Sequence, residues 1–453
     1  MVRTPPVIAG QIINIRIDGI TYQGWGTGRF DGFTVFIPGT LPGEKVKAKI
    51  KEVKKNFAMA QAIDVEEQPE KRAAPCCSVY DSCGGCQLQH VNYRSQLELK
   101  ATLVSDALSR IGKLKNVKIH PVIGMKEPWG YRNRAQFHVK KIDGKVCLGF
   151  FQPGTQRLTP VEKCRLLPDI FNDIVRFLEK QLSQWADVSD LLHVVIKKNR
   201  IQDEVAVIFV TRRAQVSELK NTALALAKFF PKIVSVIQNV NPGRTSVVFG
   251  PKWRTVFGSG RIQDRIGKVI LSMSPGSFVQ VNPEQTEALY TKVLDYAGLT
   301  GREEVIDVYC GTGSISLWLA PKAKKVYGIE EFKEAVEDAK LNAQLNNVSN
   351  AEFFAGKSEL LLPGMLQKGI KADVIVLDPP RRGCAPEALN AIAEMKPERI
   401  VYVSCNPATL ARDLGILAEK GFEIVEVQPV DMFPQTVHVE CIVQIKRAET
   451  RMG

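Results

Sequence analysis

Cys405 ends an apolar, strand-like run in YVSCNPATLARD, residues 402–413. A thiolate is the side chain best suited to attack an electron-poor carbon. A reaction that opens with that attack and closes with loss of the thiol also needs a separate proton acceptor. Glu440, in DMFPQTVHVECIV, is the carboxylate candidate. Its place after a loop, at the ligand edge of a sheet, favours a raised pKa suited to a general base. His438 in the same stretch is the alternative base. A third acidic group, Asp378, ends the strand-like run of VLDPPRRGC at 376–384, which sets its carboxylate at the same edge.

A second group of residues could hold a cofactor. VIDVYCGTGSISLWLA reads as a buried strand, a glycine turn and a helix. Gly311 and Gly313 let backbone approach a ligand at the helix N-terminus. Asp307 stands at the strand end, and Glu330 ends the next strand, KKVYGIE, where a carboxylate can accept hydrogen bonds from ribose hydroxyls. The third glycine of a pyrophosphate-binding turn is replaced by Ser316, and no P-loop lysine is present. A ribose site without a pyrophosphate site suits S-adenosylmethionine better than NAD. An aromatic after Asp-Pro-Pro would suggest methylation of an amino group, but Arg381 follows instead.

A third group is cysteines. Of ten in the chain, Cys76, Cys77, Cys83 and Cys86 fall within eleven residues, and Cys164 follows later in VEKCRLLP. Four thiolates can hold zinc or an iron–sulfur cluster. Three close cysteines plus one distant one favour a [4Fe–4S] cluster over the two paired motifs of structural zinc. Spacing alone leaves the first ligand open between Cys76 and Cys77.

These residues need elements to position them. At 453 residues the chain is long enough for two or three domains. Residues 1–66 show short β runs at close turn signals, which predicts a five-stranded OB-like barrel. Lys45, Lys47, Lys49 and Lys51 alternate there, on one face of a strand. The charged linker EEQPEKRAAP follows. Segments 75–93 and 127–275 mix strands and helices as an α+β central domain. Segments 94–126 and 276–453 form the last domain, where strand–helix alternation predicts a parallel, doubly wound α/β sheet. The net charge of +13 favours a polyanionic partner such as RNA. GYRNRAQFHV at 130–139 gathers Tyr131, Arg132, Arg134 and Phe137. Neither a signal peptide nor an apolar run of membrane-spanning length is seen, so a cytoplasmic chain without a membrane is expected. Nothing implies an obligate protein partner.

The sequence GWGTGRFDGFTVFIPGTLPGEKVKAKI resembles a TRAM domain, a small RNA-binding barrel, and DVYCGTGS resembles the first motif of class I, Rossmann-like methyltransferases. Together with SPGSFVQVN, LDPPRRG, SCNPATLARD and DMFPQTVHVE, the chain resembles the RNA (uracil-5-)-methyltransferase family over nearly its whole length. The resemblance implies methylation of uridine carbon 5 in RNA, with Cys405 as nucleophile and Glu440 as proton acceptor. It implies Gln280, Tyr309, Glu330 and Asp378 in the methyl-donor and uracil pocket, and Phe278 as a stacking residue. Arg132 and Arg134 would contact RNA. It selects Cys77 as first cluster ligand, with Cys83, Cys86 and Cys164. Barrel and cluster together resemble the branch that acts on 23S ribosomal RNA. The alternatives are a transfer-RNA enzyme and a catalytically idle RNA-binding protein.

Overall fold

The computed structural model describes residues 5–65, 70–243 and 247–448. The start of the expected linker, 66–69, lies outside them, as do residues 1–4 and 449–453 of the expected first and last domains.

Alternation in KVKAKIKEV buries Val46, Ala48 and Ile50 and leaves Lys45, Lys47, Lys49 and Lys51 on the outer face. The N-terminal sheet has six strands rather than five, in the order Ile12–Arg16, Lys45–Val53, Phe57–Val65, Phe33–Pro38, Trp25–Phe30, Gly19–Ile20. The extra strand is a two-residue continuation of the first, too short to show a period. Because that one run pairs at both edges of the sheet, it closes the barrel. Closure brings backbone onto Gly28, where a Cβ would stand 2.2 Å from the Arg16 carbonyl oxygen.

The central sheet has seven strands, ordered Leu158–Pro160, Lys145–Phe151, Arg134–Ile142, Leu191–Lys198, Val205–Thr211, Ile233–Val240, Lys252–Gly258. All neighbours are antiparallel except Val205–Thr211 with Ile233–Val240, joined through helix Leu219–Phe229. Helix Asp169–Leu182 turns Phe171, Ile174, Val175, Leu178 and Leu182 toward this sheet at three- and four-residue spacing.

The C-terminal sheet runs Ala351–Ala355, Lys325–Glu330, Glu304–Val308, Val374–Leu377, Arg399–Ser404, Glu440–Arg447, Phe422–Val430, Lys118–Ile119. The first five strands are parallel, and Glu440–Arg447 is antiparallel to both neighbours. Strands buried on both faces, such as VIVL at Val374–Leu377, divide two apolar layers. Helix Tyr93–Arg110 belongs to one layer through Val104 and Leu108, although the central sheet follows it in the chain. The hairpin Ile262–Ile266 with Val269–Met273 buries its apolar side in the other layer.

Candidate active site

Strands Arg399–Ser404 and Glu440–Arg447 pair with Ser404 opposite Cys441. At that end of the pair Cys405 follows Ser404, while Glu440 precedes Cys441 and pairs on its other side with Val430. Asp378 follows the neighbouring strand Val374–Leu377 at that edge. Glu440 is buried and Cys405 half-buried. Burial, aided by the Asp378 carboxylate and opposed by the Arg381 guanidinium, pushes Glu440 up to about 8. Burial likewise drives the Cys405 thiol up to about 12, with Glu440 and Asp378 adding to it and Arg381 opposing. Asp378 itself is raised to about 7 by burial. His438 moves the other way, to about 4, through burial and then the nearby Arg381, Lys100 and Arg132 cations. A neutral imidazole with so low a pKa is a poor proton acceptor, and Glu440 is the better-matched base.

The loop at residues 431–439, which carries His438 and leads into Glu440, is held from three sides. Lys100 Nζ, on helix Tyr93–Arg110, forms a fully buried ion pair with Asp431 Oδ1 at 2.5 Å and donates to the Phe433 carbonyl at 3.1 Å. Tyr93 Oη donates to Asp431 Oδ2 at 2.9 Å. Gln96 clasps Gln435: Nε2 donates to Oε1 at 2.9 Å, and Oε1 accepts from the Gln435 N–H at 3.0 Å. Gln435 has φ +71°, and its carbonyl accepts from the Gln87 and Leu88 N–H groups of the cysteine segment. Tyr131 Oη donates to the Pro434 carbonyl at 3.0 Å. Sequence reasoning missed Lys100 and Asp431, and it read Arg381 only as the absence of an aromatic.

At the glycine turn, Gly311 has φ +54° and open space where a Cβ would stand. Its N–H donates to Glu330 Oε2 at 3.0 Å, and the Phe332 N–H donates to Glu330 Oε1 at 3.0 Å. Asp307 is fully buried; Ser316 Oγ donates to Oδ2 at 2.5 Å, while Oδ1 has no partner. Burial raises Asp307 to about 7 despite the Ser316 bond, with Asp378 and Glu330 adding to the rise. Tyr309, at φ +68°, accepts at Oη from Ser358 Oγ at 3.2 Å. Gln280 is buried, and its carbonyl accepts from Asn133 Nδ2 at 3.3 Å. An orphaned carboxylate oxygen, a buried ribose-type acceptor and an open glycine turn on one sheet edge fit a nucleoside-bearing methyl donor. Phe278 is 69% exposed beyond the turn Ser274–Ser277. Asp338 accepts there from Ser274 N–H, Ser274 Oγ and Ser277 Oγ.

Cys77, Cys83, Cys86 and Cys164 line one cavity of ≈ 380 Å³, and Cys76 does not. Burial pushes Cys86 up to about 12 and Cys164 to about 11, and the thiols reinforce one another. Among the described residues no group of His, Cys, Asp and Glu stands at the spacing that holds a metal ion. The cavity therefore gathers the four expected thiols without forming a single-ion site. Arg132 and Arg134, expected at RNA, line this same cavity. Each has a buried Nε without a partner, and the Arg134 guanidinium sits 5.8 Å over the Phe249 ring.

Residues 92–448 match the pattern of the tRNA (uracil-5-)-methyltransferase family, and residues 6–63 that of the TRAM domain. An RNA methyltransferase of Bacillus cereus is 46% identical, covering 98% of this chain and 99% of the relative. One from Clostridium acetobutylicum is 44% identical, covering 99% and 100%. Among solved structures, the Pyrococcus abyssi tRNA (uracil-54, C5)-methyltransferase in complex with S-adenosyl-L-homocysteine superposes with a TM-score of 0.74. It shares 25% identity over 96% of this chain and 100% of that one.

Proposed function

Since the chain belongs to the tRNA (uracil-5-)-methyltransferase family, we propose that it methylates carbon 5 of an RNA uridine through a covalent adduct on Cys405. The observation that carries the reading is that Cys405, just beyond Ser404, and Glu440, just before the Cys441 that Ser404 faces, stand with Asp378 at one sheet edge. The Cys405 thiolate adds to uracil carbon 6, and the electron pair moves to carbon 5 and the carbonyl as an enolate. A bound S-adenosylmethionine supplies the methyl group that carbon 5 takes up. Glu440 then accepts the carbon 5 proton, and elimination breaks the sulfur–carbon 6 bond and frees Cys405. Arg381 offsets the negative charge that gathers on Cys405, Glu440 and Asp378. Glu330, Asp307, Gly311, Tyr309 and Gln280 would hold the donor, and Phe278 offers an exposed ring for the RNA.

The cysteine cavity is suited to a [4Fe–4S] cluster on Cys77, Cys83, Cys86 and Cys164. Four cysteine thiolates are the ligand set such a cluster would take, and these four line one cavity. Burial raises the Cys86 and Cys164 thiols, the Arg132 guanidinium opposes that rise, and bound iron would favour their thiolates further.

For the substrate we favour 23S ribosomal RNA, from the combination of barrel and cysteine set. Transfer RNA is the second reading. A neighbour named as a transfer-RNA enzyme superposes over 96% of this chain, so the barrel does not separate the two. The test incubates anaerobically purified protein with labelled S-adenosylmethionine and separate ribosomal and transfer RNA transcripts. Nucleoside mass spectrometry then seeks 5-methyluridine, with Cys405→Ala in parallel. Product in ribosomal RNA, absent from the variant, is expected. Product in transfer RNA alone replaces the substrate, and product from Cys405→Ala refutes the covalent route.

A further inference from the structure

The reaction as written uses the C-terminal sheet, yet the N-terminal barrel reaches the same site. The Tyr22 ring lies 5.7 Å from the His438 ring, centre to centre, tilted by 57°. His438 in turn contacts Phe433, at 5.9 Å between centres, and lies 3.5 Å from Arg381 Nη2. The barrel loop bearing Tyr22 is fixed. Thr21 Oγ1 accepts from the Trp25 N–H at 3.1 Å, and the Gly24 N–H donates to the Thr21 carbonyl at 2.9 Å. Gly24 (φ +82°) rests on Gln87 and Val437, where a Cβ would come within 2.9 and 3.0 Å. Ile20 and Leu41 of the barrel share a buried cluster with Leu88, Leu99 and Val437. On this rigid seat Tyr22 keeps 40% of its surface exposed.

We propose that Tyr22 is a substrate-positioning residue that stacks on the nucleobase next to the target uridine. The inference rests on the function proposed above. The ring stands against His438, which touches Arg381 and lies two residues before Glu440 in the chain, so the base assigned to it is the one beside the base over Cys405. Extruding a uridine leaves its neighbour with a bare face. An aromatic ring covers such a face whatever the base, and single-stranded RNA is bound in this way.

The test uses the full chain and an RNA that the wild type methylates. Tyr22→Ala and Tyr22→Leu are expected to raise the KM for RNA roughly five- to a hundred-fold, the range of one lost stacking contact. The kcat and the KM for S-adenosylmethionine stay within about twofold, and Tyr22→Trp restores the KM. With an RNA carrying an abasic residue beside the target, wild type and Tyr22→Ala converge. A wild-type KM in Tyr22→Leu, a loss confined to kcat, or a difference that persists on abasic RNA would overturn the proposal in favour of packing on His438. A wild type that makes no 5-methyluridine in any RNA fails the underlying reading instead.

Discussion

Glu440 works under opposed demands: burial that makes its carboxylate a strong base also keeps it protonated. With its pKa at about 8, the base form grows as the pH rises. The rate at which the Cys405–RNA adduct breaks down in wild type, the step in which Glu440 takes the proton, should therefore climb through about pH 8 and level off above it. Glu440→Gln should lose that limb and accumulate the Cys405–RNA adduct, seen as a slow-migrating band on denaturing gels, with turnover reduced by about a hundredfold or more. The same shift has a consequence for stability. Unfolded, the group titrates near ~4.3. Between the two values the folded chain holds the extra proton, so this contribution is complete below the unfolded pKa and is lost as the pH rises through about 8. Urea unfolding at pH 5 and pH 9 should find Glu440→Gln gaining on wild type at the higher pH.

The segment from Asp431 to His438 has no regular secondary structure; its shape comes from what grips it. Removing one partner of a buried ion pair leaves a bare charge. Lys100→Met is therefore expected to cost ~3–5 kcal/mol in urea unfolding, and the double variant Lys100→Met/Asp431→Leu to recover most of it. The sequence could offer Cys405, Asp378, Glu330 and Gly311 as candidates because each stands where a strand hands over to a turn. Such handovers carry a local pattern of apolar run, glycine or proline, and helix start. The grip was not legible. Lys100 and Asp431 are 331 residues apart, and a lysine in a helix reads as solvent-facing until its partner is known. Tyr22 and His438 meet only through the docking of barrel on sheet. Arg132, just before the strand, and Arg134, its first residue, read in sequence as RNA contacts, and the cysteines that share their cavity were not legible as their neighbours. The strand Gly19–Ile20 offers two residues, less than one full alternation.

Three parts of the chain meet at one loop, since barrel, cysteine segment and C-terminal sheet all touch Asp431–His438. Gly24→Val should disturb that junction from the barrel side, through both the strained φ and the contact with Val437. RNA methylation should fall at least about tenfold while the barrel core stays folded by hydrogen exchange. The outer lysine face offers a separate measurement. Replacing Lys47, Lys49 and Lys51 with alanine should flatten the log–log salt dependence of RNA binding by about 2, if all three meet single-stranded phosphates. The distance in sequence between Lys100 and Asp431 also has a meaning in time. On a ribosome adding 5–20 residues per second, Lys100 waits roughly 15–65 s for the carboxylate it is buried with. Helix Tyr93–Arg110 is made early, while the elements it packs against, helix Pro407–Glu419 and strand Phe422–Val430, are made late. Glu440 sits in the last strand of all. A chain cut short before Asp431 thus lacks both Glu440 and the carboxylate that Lys100 is buried with, so an unfinished copy carries a bare buried cation.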